Sequence, residues 1–268
     1  MSGTGESVGA LFRAGNLAAA VDAANAAVRR APTDIAARVL LAELLVFAGN
    51  LERADVILDA ASQVEPEAAV VVAEFRQLLR ADMARRQLRR DGRVPEFLGE
   101  PTDTQRLQLA AMVALRAGDM AEAAKLAGAA ELGRPHVAGT GEAGAFDDFR
   151  DADDLCAGSF EVLTTTGKFY WIPTERVISL EFHPPKRARD LMWRRATMSV
   201  RAGPDGDVYL PAIYGSEDAA LADALKLGRE TDWIEDGGPV RGAGQRLFLV
   251  GEEAVGIMDL GALEFGGA

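Results

Sequence analysis

The sequence predicts an α+β protein, in which an N-terminal array of stacked helical hairpins (an α-solenoid) precedes a smaller, mainly-β domain. A short glycine-containing motif recurs at a fixed spacing in the first half, and apolar residues begin to alternate with polar ones after about residue 146. The balance of basic and acidic residues changes at the same place. Residues 1–145 hold 16 basic and 19 acidic groups, and residues 146–268 hold 13 basic and 22 acidic groups. We therefore expect a helical repeat domain at 1–136, a glycine-rich linker at 137–145 and a β-rich domain at 146–268.

The recurring motif is a glycine followed by Asn or Asp and then a large apolar residue. Its first two copies lie 34 residues apart, and in each of the three copies a proline follows the glycine after 17 residues. A 34-residue period with this pattern is typical of tetratricopeptide repeats, in which each unit is a pair of helices. The glycines are Gly15, Gly49 and Gly118, and the prolines are Pro32, Pro66 and Pro135.

Elementary helix chemistry explains the motif. The glycine can take the left-handed conformation that ends a helix, and Asn16, Asn50 or Asp119 can then cap the next helix with a side-chain oxygen. Alanines such as Ala20 allow two helices to cross closely, and the proline ends the second helix because it lacks the backbone donor. Residues 68–90 are predicted to form one longer amphipathic helix, which gives about seven helices overall.

Stacked hairpins of this kind leave a concave face that commonly receives an extended peptide or a helix. A run of arginines on the longer helix either rims that face or forms an ordinary solvated helix surface. We take Arg80, Arg86 and Arg90 from this run as candidate partner contacts.

The second half reads as short strands with a few helical residues. A hairpin is predicted from 160–166 and 169–173, and a strand with alternating apolar residues from 177–182. The remaining predicted elements are strands at 196–200, 208–211, 246–250 and 255–260 and a helix at 219–227.

A basic segment, 184–195, stands out in this otherwise acidic half. It either contacts an acidic segment of a partner, or its arginines pair with the domain's own carboxylates and with the ring of a neighbouring tryptophan. Its candidate partner-binding residues are Lys186, Arg187, Arg189, Trp193, Arg194 and Arg195.

No catalytic, metal or cofactor motif emerges from the remaining residues. Two histidines and one cysteine are too few soft ligands for a zinc site, and the acids of 147–154 fit a helix N-terminus better than a calcium loop. The glycines of 139–144 match G-x-G-x-x-G but lack the preceding strand that a dinucleotide site needs, so we expect no cofactor. An enzyme remains the alternative, and its only plausible site would combine Thr164–Thr166, Lys168, Asp151 and Arg194.

The net charge of −12 disfavours binding to nucleic acid or to an anionic membrane. There is no stretch of about 18 uninterrupted apolar residues and no basic-then-apolar leader at the N-terminus, so neither membrane insertion nor secretion is expected. A single cysteine, Cys156, suits a reducing compartment. We expect a cytoplasmic protein.

Several strings of residues together resemble the ImpE/TagJ family. They include Glu96–Pro101, Phe149–Leu155, Glu161–Pro173, Ser179–Phe182, Pro184–Arg195, Leu210–Ala212, Leu227–Trp233 and Gln245–Phe248. The resemblance implies a non-enzymatic accessory protein of bacterial type VI secretion, with tetratricopeptide-like helices before a family-specific domain. It also implies binding to an N-terminal helix of the small contractile-sheath subunit and a link to sheath recycling by the AAA+ ATPase.

Overall fold

Helices fill the first half of the chain, as the 34-residue period predicts. The computed structural model describes residues 7–62, 69–215 and 220–266, so the predicted helix stop at Pro66 lies outside the described residues. Within those ranges, seven helices precede the first strand, which confirms the helical array and the α+β class. They are α1 (Val8–Ala14), α2 (Leu17–Arg30), α3 (Ile35–Phe47), α4 (Leu51–Ser62), α5 (Ala69–Asp91), α6 (Asp103–Arg116) and α7 (Met120–Gly133).

The three motif glycines lie at the bends between paired helices. Gly15, Gly49 and Gly118 have φ angles of 84°, 79° and 79°, which a side chain would disfavour. The residue after each glycine caps the next helix, because its side-chain oxygen accepts a backbone N–H at 3.0–3.2 Å. The motif therefore makes the α1–α2, α3–α4 and α6–α7 turns by the chemistry that the sequence predicts.

Between the second and third pairs, α5 stands without a following partner helix. The chain after α5 runs beside a strand of the second half, where Glu96 donates its backbone N–H to the Phe169 carbonyl at 2.9 Å and accepts from the Trp171 N–H at 3.1 Å. Helix α6 then begins with a capping box, in which Thr102 and Gln105 each bond the other's backbone N–H. This interrupted unit ties the helical half to the strands.

Antiparallel strands form the second half. They are β1 (Gly139–Gly141), β2 (Gly144–Phe146), β3 (Phe149–Asp151), β4 (Ser159–Leu163), β5 (Phe169–Pro173), β6 (Val177–Phe182), β7 (Trp193–Val200), β8 (Gly206–Pro211), β9 (Thr231–Ile234), β10 (Arg241–Gly244), β11 (Leu247–Val250), β12 (Glu253–Gly256) and β13 (Ala262–Phe265), with a short helix α8 (Asp223–Lys226) before β9. In the described residues the main sheet has the order β2-β1-β13-β6-β7-β8-β4-β5, and β12-β11-β3 and β10-β9 form two small sheets.

Both faces of the main sheet are apolar because each packs on a different layer. Leu163, Phe169 and Trp171 belong to the core that the sheet shares with the helices. On the opposite face, Phe160 and its neighbours form a second core with Phe248 of the small sheet. The sheet is therefore the middle layer between the helices and β3-β11-β12.

The glycine-rich segment expected to be a linker is instead a β1–β2 hairpin at the end of the main sheet. Gly139 pairs with Phe265 on one side and Phe146 on the other. A Cβ atom on Gly139 would lie 2.3 Å from the Glu264 carbonyl oxygen, so glycine is needed there for close backbone approach, not for flexibility. Residues 139–141 and 144–146 are therefore strands, where the sequence predicts a glycine-rich linker at 137–145.

We expect Gly139→Ala to lower the free energy of unfolding by about 1–3 kcal/mol, because the new methyl group overpacks the β1–β13 contact. Gly133→Ala is the matched control, since nothing lies within 4 Å of a Cβ placed there. Urea unfolding followed by circular dichroism measures both variants. Equal stability of the two would mean that the hairpin does not belong to the sheet.

Other differences from the sequence predictions are local. The expected strand at 255–260 is wrong, because β12 ends at Gly256 and a turn precedes β13. The expected helix at 219–227 is reduced to α8, and its first residue, Ala219, lies outside the described residues. The acids of 147–154 do not begin a helix but lie in β3 and the turns around it.

Candidate partner-binding surfaces

The helical face expected to hold a partner is covered by the protein's own C-terminal half. Helices α3 and α5 are the first helices of successive units, and the last seven residues of α3, 41–47, are all buried. A 3₁₀ turn at Ala188–Leu191 packs on α3, while β4 and β5 pack on α5. Where the sequence predicts an open concave face on the stacked hairpins, α3 is covered by this turn and α5 by strands of the same chain.

A buried ion pair anchors the basic segment to α3. The Arg189 guanidinium donates to the Glu43 carboxylate at 2.8 Å, and the two side chains are 3% and 7% exposed. The same guanidinium lies 4.7 Å from the centre of the Phe75 ring, which packs edge-on against Trp193 at 5.9 Å. Burial raises the pKa of Glu43 although Arg189 acts in the opposite direction. Of the two alternatives that the sequence left open for Arg189, the structure shows pairing within the chain, with a carboxylate of α3 and not of the C-terminal half.

A second buried network joins α5 to the strands. Glu161 of β4 accepts from the Arg85 guanidinium of α5 at 2.8 Å and also from Arg246. Arg246 pairs in turn with Asp151 of β3 at 3.0 Å. Burial alone would raise the pKa of Glu161, but the surrounding guanidinium groups outweigh it and hold that pKa far below its usual range. All four side chains of the network are buried, and burial raises the pKa of Asp151, a residue of the enzyme alternative, to about 6.

Two side chains of the second half also contact the start of the helical array. Asp223 of α8 accepts the backbone N–H of Leu17 at 2.9 Å, at the N-terminus of α2 where a negative charge is favourable. Arg229 donates to the Phe12 carbonyl at the end of α1 at 2.6 Å. The C-terminal half thus touches α1, α2, α3 and α5.

The three candidate arginines on α5 have different environments. Arg80 is exposed and donates to Gln77 within its own helix at 3.2 Å. Arg86 is half-buried beside Asp82 and the Gly49 carbonyl, and Arg90 is exposed and pairs with Asp91 at 2.8 Å. The structure leaves Arg80 and Arg90 accessible but does not gather the three into one site.

The candidate residues of the basic segment also differ in exposure. Arg189, Trp193 and Arg194 are buried, and the Arg194 guanidinium bonds the Ile257 carbonyl and lies 5.0 Å from the Phe182 ring centre. These three are therefore not available to a partner in this conformation. The remaining candidates, Lys186, Arg187 and Arg195, are exposed.

The residues of the enzyme alternative are not brought together. Thr164, Thr166 and Lys168 lie in the β4–β5 turn, where Lys168 pairs with Glu96 at 2.9 Å. Asp151 is buried in an ion pair with Arg246, and the Arg194 guanidinium donates to the Ile257 carbonyl. In the part of the chain that the structure describes, no group of three or more His, Cys, Asp or Glu side chains is placed to hold a metal ion.

An apolar cleft on the outer face of the main sheet was not among the sites predicted from the sequence. It has a volume of about 220 Å³ and lies between the β4–β5 and β7–β8 hairpins. The signal that could have revealed it is the apolar character of both faces of β4 and β5, which requires a cover on each face. Its apolar lining residues are Leu98, Val162, Tyr170, Ile172, Met198, Val200 and Val208.

Asp148 fixes the junction between α7 and the strands. It accepts from the Arg134 guanidinium at 2.8 Å and from the Val137 N–H at 3.1 Å. Partial burial raises its pKa, but these hydrogen bonds outweigh burial and lower the pKa to about 2. Because the folded pKa lies below the unfolded one, Asp148 stabilises the fold above about pH 4, and this contribution disappears as the pH falls toward 2.

We expect Asp148→Asn to cost about 2 kcal/mol of unfolding free energy at pH 7. The difference between wild type and variant shrinks as the pH falls below 4 and vanishes only below pH 2, where both side chains are neutral. Chemical denaturation at several pH values measures it. A difference that stays constant from pH 7 to pH 3 would contradict the assigned role of the Asp148 charge.

Comparisons with known proteins cover nearly the whole chain. The family model described as ImpE protein matches residues 143–264, and a tetratricopeptide-repeat model matches residues 11–79. The type VI secretion system accessory component TagJ of Pseudomonas aeruginosa is 30% identical over 257 residues, which span 95% of this chain and 89% of that protein. The crystal structure of protein VPA1032 from Vibrio parahaemolyticus is similar with a TM-score of 0.90 and 27% identity, covering 97% of this chain and 98% of the other.

None of the helices in the described ranges has both the length and the hydropathy needed to cross a bilayer.

Proposed function

This chain belongs to the ImpE/TagJ family, and from that premise we propose that it is a non-enzymatic accessory protein of a bacterial type VI secretion system that acts in the cytoplasm by holding other proteins. The observation that carries the proposal is the 30% identity to a type VI accessory component across both halves of the chain. Paired helices of the tetratricopeptide kind, whose general use is protein binding, support it independently.

The proposed partner is the small subunit of the contractile sheath, engaged through its N-terminal helix. An amphipathic helix is a segment that a protein with exposed apolar and charged surface can bind. Because the 188–191 turn covers α3 and the strands β4 and β5 cover α5, we propose that the helix binds elsewhere on the molecule than between α3 and α5. The proposed consequence is a link to sheath recycling by the AAA+ ATPase, through one protein that holds the subunit.

Binding of the full chain to the purified sheath small subunit tests the proposal. Isothermal titration is done with the intact subunit and with a subunit that lacks its N-terminal segment. We expect measurable affinity for the intact subunit and a loss of at least about tenfold on truncation, which corresponds to about 1.4 kcal/mol. Equal affinity for both forms would contradict the helix as the recognised element.

A second titration adds the AAA+ ATPase to the preformed complex. If the accessory protein links the two, the ATPase binds the complex more tightly than it binds the subunit alone. Identical affinities would remove the proposed link to recycling and leave the subunit interaction intact.

A further inference from the structure

The apolar cleft on the main sheet has the construction of a side-chain pocket. Its floor consists of Val162, Ile172, Met198 and Val200, all of which are buried. Leu98, Tyr170 and Val208 are only partly buried and form the walls. At about 220 Å³ the cleft lies below the roughly 300–1,000 Å³ typical of sites for whole small molecules, and its size suits an anchoring side chain.

The cleft exists because the second layer covers only part of the sheet. The small β3-β11-β12 sheet packs on the face that carries Phe160, through Phe149 and Phe248. The β4–β5 and β7–β8 hairpins are joined by a single registered pair, Leu163 with Tyr209. Beyond that pair the two hairpins border the cleft, so the second core is open to solvent at this end.

The rim of the cleft is acidic. Asp205 and Asp207 lie on one side, and two threonines of the β4–β5 turn lie on the other. Asp207 is neutralised by Arg195 at 2.5 Å. Asp205 accepts a hydrogen bond from the Ser199 hydroxyl at 2.7 Å, and in the described residues it forms no ion pair. Asp205 is therefore exposed, charged and able to meet a cation.

We propose that this cleft receives an apolar side chain from a segment of the partner, and that a lysine or arginine close to that side chain in the partner pairs with Asp205. The inference rests on the proposed function, because the segment is taken to belong to the sheath small subunit. A second copy of this chain is a less favourable occupant. Residues 146–268 carry 13 basic and 22 acidic groups, so two copies of this half repel each other. A large side chain in a desolvated pocket with a charged rim is the usual anchor of a protein interface.

Two substitutions test the apolar cleft and its acidic rim independently. Val208→Trp fills the cleft with a side chain that suits a strand, and Asp205→Lys reverses the rim charge in an exposed turn. The controls make the same changes on helices away from the cleft, as Val113→Trp on α6 and Asp22→Lys on α2, both at exposed positions. Thermal unfolding of each variant checks that the fold is retained, and Asp205→Lys carries the test if Val208→Trp does not fold.

The affinity of the full chain for the intact sheath small subunit is the readout. We expect Val208→Trp to weaken binding by about 30-fold or more, as loss of an interface anchor does, and Asp205→Lys to weaken it about fivefold and to remove most of its salt dependence. Both controls are expected to bind within twofold of wild type.

Three results would overturn the inference. Wild-type affinity in folded Val208→Trp and Asp205→Lys would reject the cleft while leaving the proposed function intact. No binding by the wild-type chain would reject the proposed function and the cleft's occupant together. A change in self-association of Val208→Trp alone, measured by sedimentation, would show that the cleft is a contact between copies of this chain.

Discussion

Replacing Glu161 by alanine is expected to lower the free energy of unfolding by about 3–5 kcal/mol. Glu161 is fully buried and accepts from Arg85 at 2.8 Å and from Arg246. Its removal leaves the guanidinium groups of Arg85 and Arg246 buried beside less negative charge. Urea unfolding at pH 7 measures the loss.

Two comparisons define the cause of that loss. Glu161→Gln keeps the shape but not the charge, so it is expected to fall between wild type and Glu161→Ala. Glu252→Ala removes an exposed glutamate from a turn and is expected to change stability by less than about 0.5 kcal/mol. A cost for Glu161→Ala as small as that of Glu252→Ala would contradict the buried network.

The pH dependence of this network has a definite sign. The folded pKa of Glu161 is lowered by the arginines around it, although burial alone raises it. Its contribution is therefore present above its unfolded pKa, about 4.3 for a free glutamate, and is lost only as the pH falls toward the folded value. The difference between wild type and Glu161→Gln is expected to narrow as the pH falls below about 4.

Removing Arg189 is expected to cost about 3–5 kcal/mol, because Glu43 would remain buried without its cation. Arg189→Met keeps an apolar stem over Phe75 while it removes the charge. Arg187→Met, two positions earlier, is the matched control, because that side chain is exposed and is expected to matter by less than about 0.5 kcal/mol.

The double variant Glu43→Met with Arg189→Met completes a mutant cycle. Replacing both ions by apolar side chains removes the uncompensated charge, so the double variant is expected to be clearly more stable than Arg189→Met alone. Additive losses in the double variant would mean that the two side chains do not interact, and the contact between α3 and the 188–191 turn would have to be held by other residues.

Local chemistry made the helical half predictable. Gly15 and Asn16 specify a bend between helices by their own conformations and hydrogen bonds, so spacing alone locates the pair. The β1–β2 hairpin was not predictable in this way. Gly139 is required by the carbonyl of Glu264, which is distant in sequence, so the glycine looked like part of a flexible linker.

The candidate partner-binding residues were also predictable only in part. Arg80 and Arg85 belong to one run on one helix, yet Arg80 is exposed and Arg85 is buried against Glu161. A charge run does not reveal which of its members face another layer, because their partners lie on strands far along the chain. For the same reason, the sequence left open whether Arg189 and Arg194 contact a partner or pair within the chain, and the structure shows that both are buried. The cleft beside Val208 depends on where two sheets fail to overlap, and the apolar faces of β4 and β5 indicate a cover on each face without locating that gap.

Hydrogen–deuterium exchange of the full chain with and without the sheath small subunit tests most directly whether the partner binds away from α3 and α5, which the protein's own C-terminal half covers. We expect new protection in β4, β5, β7 and β8, which border the cleft, and no change in α3 or at 188–191, where Arg189 pairs with Glu43. Loss of protection at 188–191 together with new protection along α3 would contradict it, because the partner would then have displaced the protein's own strands from the helical array.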